Sequence, residues 1–190
     1  LIFVRSPVAH ATLNKIEIGK AKSMPGVAAV ITASECAPLI AEVPQTKLEN
    51  FPDHTSPLQL PLVEEHIRYQ GEPIAIVAAE TLLQAEDAAA IVSLDYKEMP
   101  AVTTVQAALA SGTNIASEME IGTGVPKGEE DVHIEAQFSF ARQTGVSLEP
   151  RGIVADYDQL THELTVWQPH QSPHLVQVLL ARILGMPENR

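Results

Sequence analysis

The densest group of chemistry-bearing side chains in an otherwise apolar setting lies in "VWQPHQSPHLVQVLL", residues 166 to 180. A β-branched and aromatic run stops at Trp167 and the polar stretch Gln168-Pro169-His170-Gln171-Ser172 follows. An apolar periodic segment then starts at Pro173, so the whole reads as strand, loop and helix N-terminus. Open α/β folds grip ligands at such places, because backbone N–H groups converge there and the helix dipole is positive. A primary amide both donates and accepts. Gln171 therefore suits either the orientation of an oxo-bearing ligand or the capping of the following helix, and the local pattern leaves both open.

A second group, in "RQTGVSLEPRG" (142 to 152), comprises Arg142, Glu149 and Arg151, which suit a structural ion-pair network or the wall of a site. Other signals are weaker. "GTGVPKGEE" (122 to 130) has the glycines and lysine of a phosphate loop, but its lysine precedes Gly128 and no apolar strand leads into it, which favours a linker. "YQGEPIAIV" has one glycine before a strand and so lacks a dinucleotide fingerprint. His170 and His174 are four apart, yet the expected helix begins between them, so they do not share a helical face as zinc ligands would. Cys36 has no ligand residues around it and reads as a small packed side chain, with a reactive thiol as the alternative.

The elements that must position these residues alternate between strand and helix. Leu1 to Val4 is an apolar strand-like run; Leu13, Ile16 and Ile18 mark a strand with imperfect alternation; "GKAKSMPG" is a helical turn closed by Pro-Gly; "VAAVIT" (27 to 32) is a buried strand. Pro38, Pro44, Pro52, Pro57 and Pro61 make residues 37 to 61 a long surface excursion. The clearest unit is "PIAIVAA" (73 to 79), a helix opened by the capping-box pair Thr81 and Gln84, and the strand "IVSLDY" (91 to 96). It is βαβ-like, and its helix is about the ten residues that parallel pairing requires. Residues 99 to 131 lose periodicity and read as an interdomain connector. Alternation in "VHIEAQFSFA" (132 to 141) predicts a half-buried strand, and "GIVADYD" with "ELTVWQP" predicts a hairpin. The last helix has Ser172 at its N-cap, Pro173 at N1 and Gly185 at its end.

Composition narrows the function classes. A hydrophobic content of 45% describes an ordinary folded protein, and 12 basic against 24 acidic residues, a net charge of −12, argues against nucleic acid or an anionic membrane as the main partner. One cysteine excludes an internal disulfide framework and an iron–sulfur site built within one chain, and it fits a reducing cytoplasm. No membrane span or signal peptide is expected. Both ends look cut, so a piece of a larger chain is expected.

The segments "FVRSPVAHATLNKIEI", "MPGVAAVITASE", "RYQGEPIAIVAAETLLQAEDAAAIVSLDYKEMPAV", "TGVSLEPRGIVADYD" and "VWQPHQSPHLVQVLLARILGMPENR" together resemble, in order, the large subunit of the molybdenum hydroxylases. That family comprises the xanthine dehydrogenases, aldehyde oxidases and aerobic carbon monoxide dehydrogenases. The resemblance implies an α/β (α+β) fold, with an α/β hammerhead domain over residues 1–100, a connector over 101–130 and the beginning of the first molybdopterin-binding domain over 131–190. It also implies a molybdenum–molybdopterin cofactor in the cytosine dinucleotide form. In the family a water-derived oxygen is inserted at the molybdenum, a glutamate acts as base, and hydride passes from substrate carbon to a sulfido ligand for aldehydes and N-heterocycles. Electrons leave through 2Fe–2S clusters to FAD, here on an iron–sulfur subunit and an FAD-binding subunit. A cytoplasmic dimer of heterotrimers and a small-molecule substrate are expected.

By the same resemblance Gln171 takes the place of the glutamine of a Ser-Thr-Gln motif that contacts the molybdenum oxo group, and Glu149 and Arg151 match an "EPRG" segment that shapes the site. Pro169-His170 departs from the usual Ser-Thr. No catalytic residue is expected within these 190 residues, since the family's glycine-rich loop and catalytic glutamate fall beyond Arg190. Two other readings stand beside the enzyme: a non-catalytic scaffold that docks electron-transfer subunits, and a histidine-based metal-binding module.

Overall fold

A computed structural model of the chain describes residues 1–41, 43, 60–112, 134–141 and 143–190. In chain order its elements are β1 (Ile2–Arg5), β2 (Ala11–Glu17), α1 (Gly19–Lys22), β3 (Val27–Thr32), α2 (Ala33–Cys36), β4 (His66–Ile67), β5 (Pro73–Ala79), α3 (Leu82–Ala90), β6 (Ser93–Glu98), α4 (Val105–Ser111), β7 (Val154–Asp158), β8 (Glu163–Trp167) and α5 (Pro173–Leu184). Pro44, Pro52, Pro57, "GTGVPKGEE", Val132-His133 and Arg142 lie outside the described residues.

The apolar run at 73 to 79 becomes β5, the central strand of a sheet ordered β1-β5-β3, while β2 is central in a second sheet ordered β4-β2-β6. Every pairing among the described residues is antiparallel. The β5–α3–β6 unit is therefore no parallel crossover: α3 carries the chain from one sheet to the other. A helix of nine residues meets the minimum length for parallel pairing, but length permits that pairing without selecting it. The register of β2 against β6 shifts between Leu13 and Lys15, a bulge that accounts for the imperfect alternation of that segment.

Two cores follow from the pleat of β5. Ala75 and Val77 point to one face, where Val77 packs with Val30 of β3, Ala21 of α1 and Ala85 and Ala88 of α3. Ile74 points to the other and packs with Ala11 and Leu13 of β2, Ile67 of β4 and Val63. Thr81 and Gln84 do form the capping box: Gln84 Oε1 accepts from Thr81 N at 3.0 Å, and Thr81 Oγ1 accepts from Gln84 N at 3.3 Å. A second box opens α2, where a Glu35 carboxylate oxygen accepts from Thr32 N at 2.9 Å.

Three expectations change. Residues 134–141 are not a strand but exposed coil, because alternation specifies a face and not the neighbour that must satisfy the backbone. The strand expected over 91 to 96 starts two residues later, with Ile91 serving as the C-cap of α3. The connector contains α4, opened by Thr104, whose hydroxyl accepts from Ala107 N at 3.2 Å, and closed by Gly112 at φ 61°.

Candidate functional site

The hairpin β7–β8 and helix α5 build the candidate site. β7 pairs with β8 from Val154↔Trp167 to Asp158↔Glu163. Their four-residue turn is fixed by Asp158, whose Oδ1 accepts from Leu160 N at 2.7 Å and Thr161 N at 3.3 Å, and by His162 at φ 57°. Those two backbone N–H groups hold the Asp158 carboxyl below its ordinary pKa. Chain leaving β8 at Trp167 reverses through Gln168 to Ser172 into α5, so the opening of α5 lies beside the carboxyl end of β8 as the strand–loop–helix pattern predicts.

A cleft of about 430 Å³ separates β8 from α5. Half-buried Leu164, Val166, Val176 and Leu180 form its apolar walls, with Gln168 and His170 at the mouth. The chain past α5 folds back to close the far side: Leu164 N donates to Arg190 O at 2.7 Å, Arg190 Nη1 to Thr161 O at 3.1 Å, and Gln177 Nε2 to Glu188 O at 2.6 Å. These fold-back contacts escaped the sequence reading; the Pro187 that follows Gly185 was the local signal for a turn there.

Ser172 is the N-cap by position, but its side chain makes no capping bond; instead its backbone N–H donates to His170 Nδ1 at 2.9 Å. That bond gives His170 a local structural role. No group of three His, Cys, Asp or Glu side chains suited to a metal ion occurs among the described residues. Because Pro173 lacks an N–H and Val176 N already donates to Ser172 O, the N–H groups of His174 and Leu175 are left at the start of a 12-residue helix as donors that meet no acceptor among the described residues.

Gln171 is exposed on this loop, between the cleft-lining His170 and the helix, and its amide makes no hydrogen bond among the described residues. It does not cap α5. Glu149 and Arg151 are exposed and form no ion pair among the described residues; Glu149 O accepts from Ser147 Oγ at 3.2 Å. The expected ion-pair network is thus not formed between them, since nothing buries the segment and water screens both charges. The Val154↔Trp167 register nevertheless puts the segment entering β7 and the loop leaving β8 at the same end of the hairpin. No hydrogen bond joins Glu149 or Arg151 to Gln171 among the described residues.

Cys36, the last residue of α2, is half-buried, and burial with the neighbouring Glu35 carboxylate pushes its thiol pKa up, which favours the packed reading over a reactive thiol. None of the helices among the described residues is long and apolar enough to cross a membrane.

Comparison with known proteins gives consistent matches. The family described as "Aldehyde oxidase and xanthine dehydrogenase, a/b hammerhead domain" matches residues 1–100, and a molybdopterin cofactor-binding domain matches residues 109–190. The chain is 31% identical over 99% of its length to the nicotine 6-hydroxylase large subunit of Paenarthrobacter nicotinovorans, and covers 24% of that protein. It is 29% identical, again over 99%, to the carbon monoxide dehydrogenase large chain of Afipia carboxidovorans, covering 26% of it. The chain therefore spans about a quarter of the length of these curated relatives. Among solved structures, quinoline 2-oxidoreductase from Pseudomonas putida 86 superposes with a TM-score of 0.79 at 29% identity, over 99% of this chain and 25% of that one. Aldehyde oxidoreductase from Desulfovibrio gigas gives 0.76 at 27%, over 99% and 22%.

Proposed function

The chain belongs to the aldehyde oxidase and xanthine dehydrogenase family, and on that premise we propose that it forms part of the large subunit of a molybdenum-cofactor oxidoreductase acting on a small molecule, an aldehyde, N-heterocycle or carbon monoxide. Residues 1–100 act as the hammerhead domain, 101–130 as the connector and 131–190 as the beginning of the molybdopterin-binding domain. The proposed cofactor is the cytosine dinucleotide form of molybdopterin, with 2Fe–2S clusters and FAD on partner subunits in a cytoplasmic dimer of heterotrimers.

The donor set suits such an oxygen-rich, anionic group. His174 and Leu175 offer two open backbone N–H groups where the helix dipole is positive, and the Gln171 amide beside them can donate to an oxo group. When bound, the cofactor supplies the redox chemistry; the protein's residues orient it and the substrate. Glu149 and Arg151 form part of the wall at the same end of the hairpin.

One observation carries this reading: at the β8–α5 mouth an amide that has no partner among the described residues is next in sequence to helix N–H groups that no side chain among the described residues caps. The test is Gln171→Ala in the complete protein. Turnover should fall roughly 10- to 100-fold, the usual effect of losing a group that supports a metal's ligands, while the unfolding free energy stays within about 0.5 kcal/mol. Stability and activity falling together would return Gln171 to a structural role.

A further inference from the structure

We propose that residues 37–41, the segment after α2, form an arm that docks on the carboxyl end of α5 and thereby sets the angle at which that helix stands to the hammerhead half of the chain. The contact is the Ala41 N–H, which donates to Ile183 O at 2.7 Å. Among the loops and helix ends of the described residues it is the one backbone hydrogen bond that joins residues 1–112 to residues 134–190, and no ion pair among the described residues joins them. A hydrogen bond depends steeply on direction, whereas apolar contact does not, so a bond of this kind selects an orientation.

The arm is tied to the fold along its length. It starts from β3, whose last residue, Thr32, is buried and opens α2 through the capping box with Glu35. The Glu35 carboxylate accepts in turn from Lys22 Nζ at 3.0 Å. Ala37 N then donates to Ala33 O at 2.9 Å, Leu39 N to Cys36 O at 2.8 Å and Ile40 N to the same oxygen at 3.2 Å, with Pro38 fixing φ among them. Successive hydrogen bonds thus run from the sheet up to the residue before Ala41, and the donor is presented at a set place.

The acceptor is one that a helix cannot satisfy by itself, because the last four carbonyls have no partner within it. In α5 the left-handed Gly185 turns the chain so that Gly185 N and Met186 N both donate to Ala181 O, while Ile183 O takes its donor from Ala41. α5 is about 18 Å long and stiff, so what fixes its carboxyl end also bears on where its first turn lies. The docking stands on this geometry alone; its bearing on the donors of Gln171, His174 and Leu175 rests on the cofactor reading above.

The complete protein tests it through Ala41→Pro, which deletes the donor, beside Ala41→Gly, which keeps it. Spin labels carried on non-natural residues at the exposed positions Glu86 of α3 and Arg182 of α5 report the angle as a distance distribution in pulsed electron paramagnetic resonance. Ala41→Pro should shift or widen that distribution, and Ala41→Gly should leave it in place. Loss of one such hydrogen bond should also speed release of the molybdenum cofactor, read as molybdenum lost on dialysis, by roughly 3- to 10-fold. Amide exchange over β5 should stay unchanged in both variants, which separates the shift from general unfolding. An unmoved distribution in Ala41→Pro overturns the docking, as does an equal change in both variants. Where Ala41→Pro unfolds the core, the unmodified protein decides: its Ala41 amide should exchange at least roughly tenfold more slowly than coil, and coil-rate exchange overturns the proposal. A shifted distribution with molybdenum fully retained upholds the docking and counts against the cofactor reading.

Discussion

Gly26→Ala should cost far more than the usual glycine substitution, because two separate penalties meet at that position. Gly26 lies at φ +78°, and an alanine there carries a left-handed strain of about 1–2 kcal/mol. The added Cβ would also overlap the Gln84 carboxamide. A flexible side chain would ordinarily swing away at little cost, but this one is committed: Gln84 Oε1 accepts from Thr81 N at 3.0 Å and from Thr81 Oγ1 at 2.8 Å, closing the capping box of α3. Displacing it loses a cap of about 1 kcal/mol, for a total of about 2–3 kcal/mol. Gly26 O also accepts from Glu80 N at 2.9 Å, so the strained turn lies against the end of β5, where a backbone shift would disturb the sheet. The assay is urea unfolding followed by far-ultraviolet circular dichroism, run as a double-mutant cycle with Gln84→Ala. In the Gln84→Ala background Gly26→Ala should cost only the backbone strain, leaving a coupling of about 1 kcal/mol. Equal losses in the two backgrounds would refute the argument that the cap and the turn compete for one volume.

Ile74→Ala removes a fully buried side chain that joins β5 to the β2 and β4 side of the fold, and should destabilise by about 2–5 kcal/mol in the same unfolding assay. Glu35 should govern part of the acid limb. The Thr32 hydroxyl, then the Thr32 N–H and Lys22, hold its carboxyl at about 2 against an ordinary 4.5. A pKa depressed in the folded state contributes stability that is full above about pH 4.5 and is lost as pH falls toward 2. Its side chain is 41% exposed, so screening limits the effect to about 1 kcal/mol or less. Glu35→Gln should flatten unfolding free energy against pH between 2 and 4.5, and an unchanged slope would remove Glu35 from the acid transition.

Local chemistry makes much of the first hundred residues legible in the sequence. The run at 73 to 79, the Thr81/Gln84 box and the Pro-Gly turn each draw on interactions within a few residues, and each forms where that chemistry puts it. What depends on neighbours distant in sequence was less legible. Nothing in "PIAIVAA" or "IVSLDY" states that the two strands enter different sheets, since both have the composition of buried strands and the choice is made by packing against β1, β2 and β3. The alternation at 134 to 140 indicated a strand without a place to put it. Thr104 and Gly112 marked a helix in the connector, but seven residues are too few for a periodic apolar face to register. At the site the sequence placed the loop, the helix start and Ser172 as the N-cap correctly; it did not show that the Ser172 side chain makes no capping bond or that the Ser172 N–H donates to His170 Nδ1, since both depend on the conformation of the loop.

The two ends of α5 are held unequally. Its carboxyl end is held several times over: Gly185 in a left-handed conformation returns its N–H to Ala181 O, Met186 N donates to the same oxygen, and Ala41, from the segment after α2, donates its N–H to Ile183 O at 2.7 Å. Orphan carbonyls at a helix end are normally met by such partners, and here one of them comes from the hammerhead half of the chain. At the amino end Pro173 removes one donor, Ser172 caps nothing with its side chain, and the N–H groups of His174 and Leu175 meet no acceptor among the described residues. A helix fixed at one end and chemically unfinished at the other presents its free donors at a defined position, which is what binding an anionic group without rearrangement requires. Gln171 and the first turn of α5 are exposed together beside these donors, and that is the strongest structural reason to look for the ligand there.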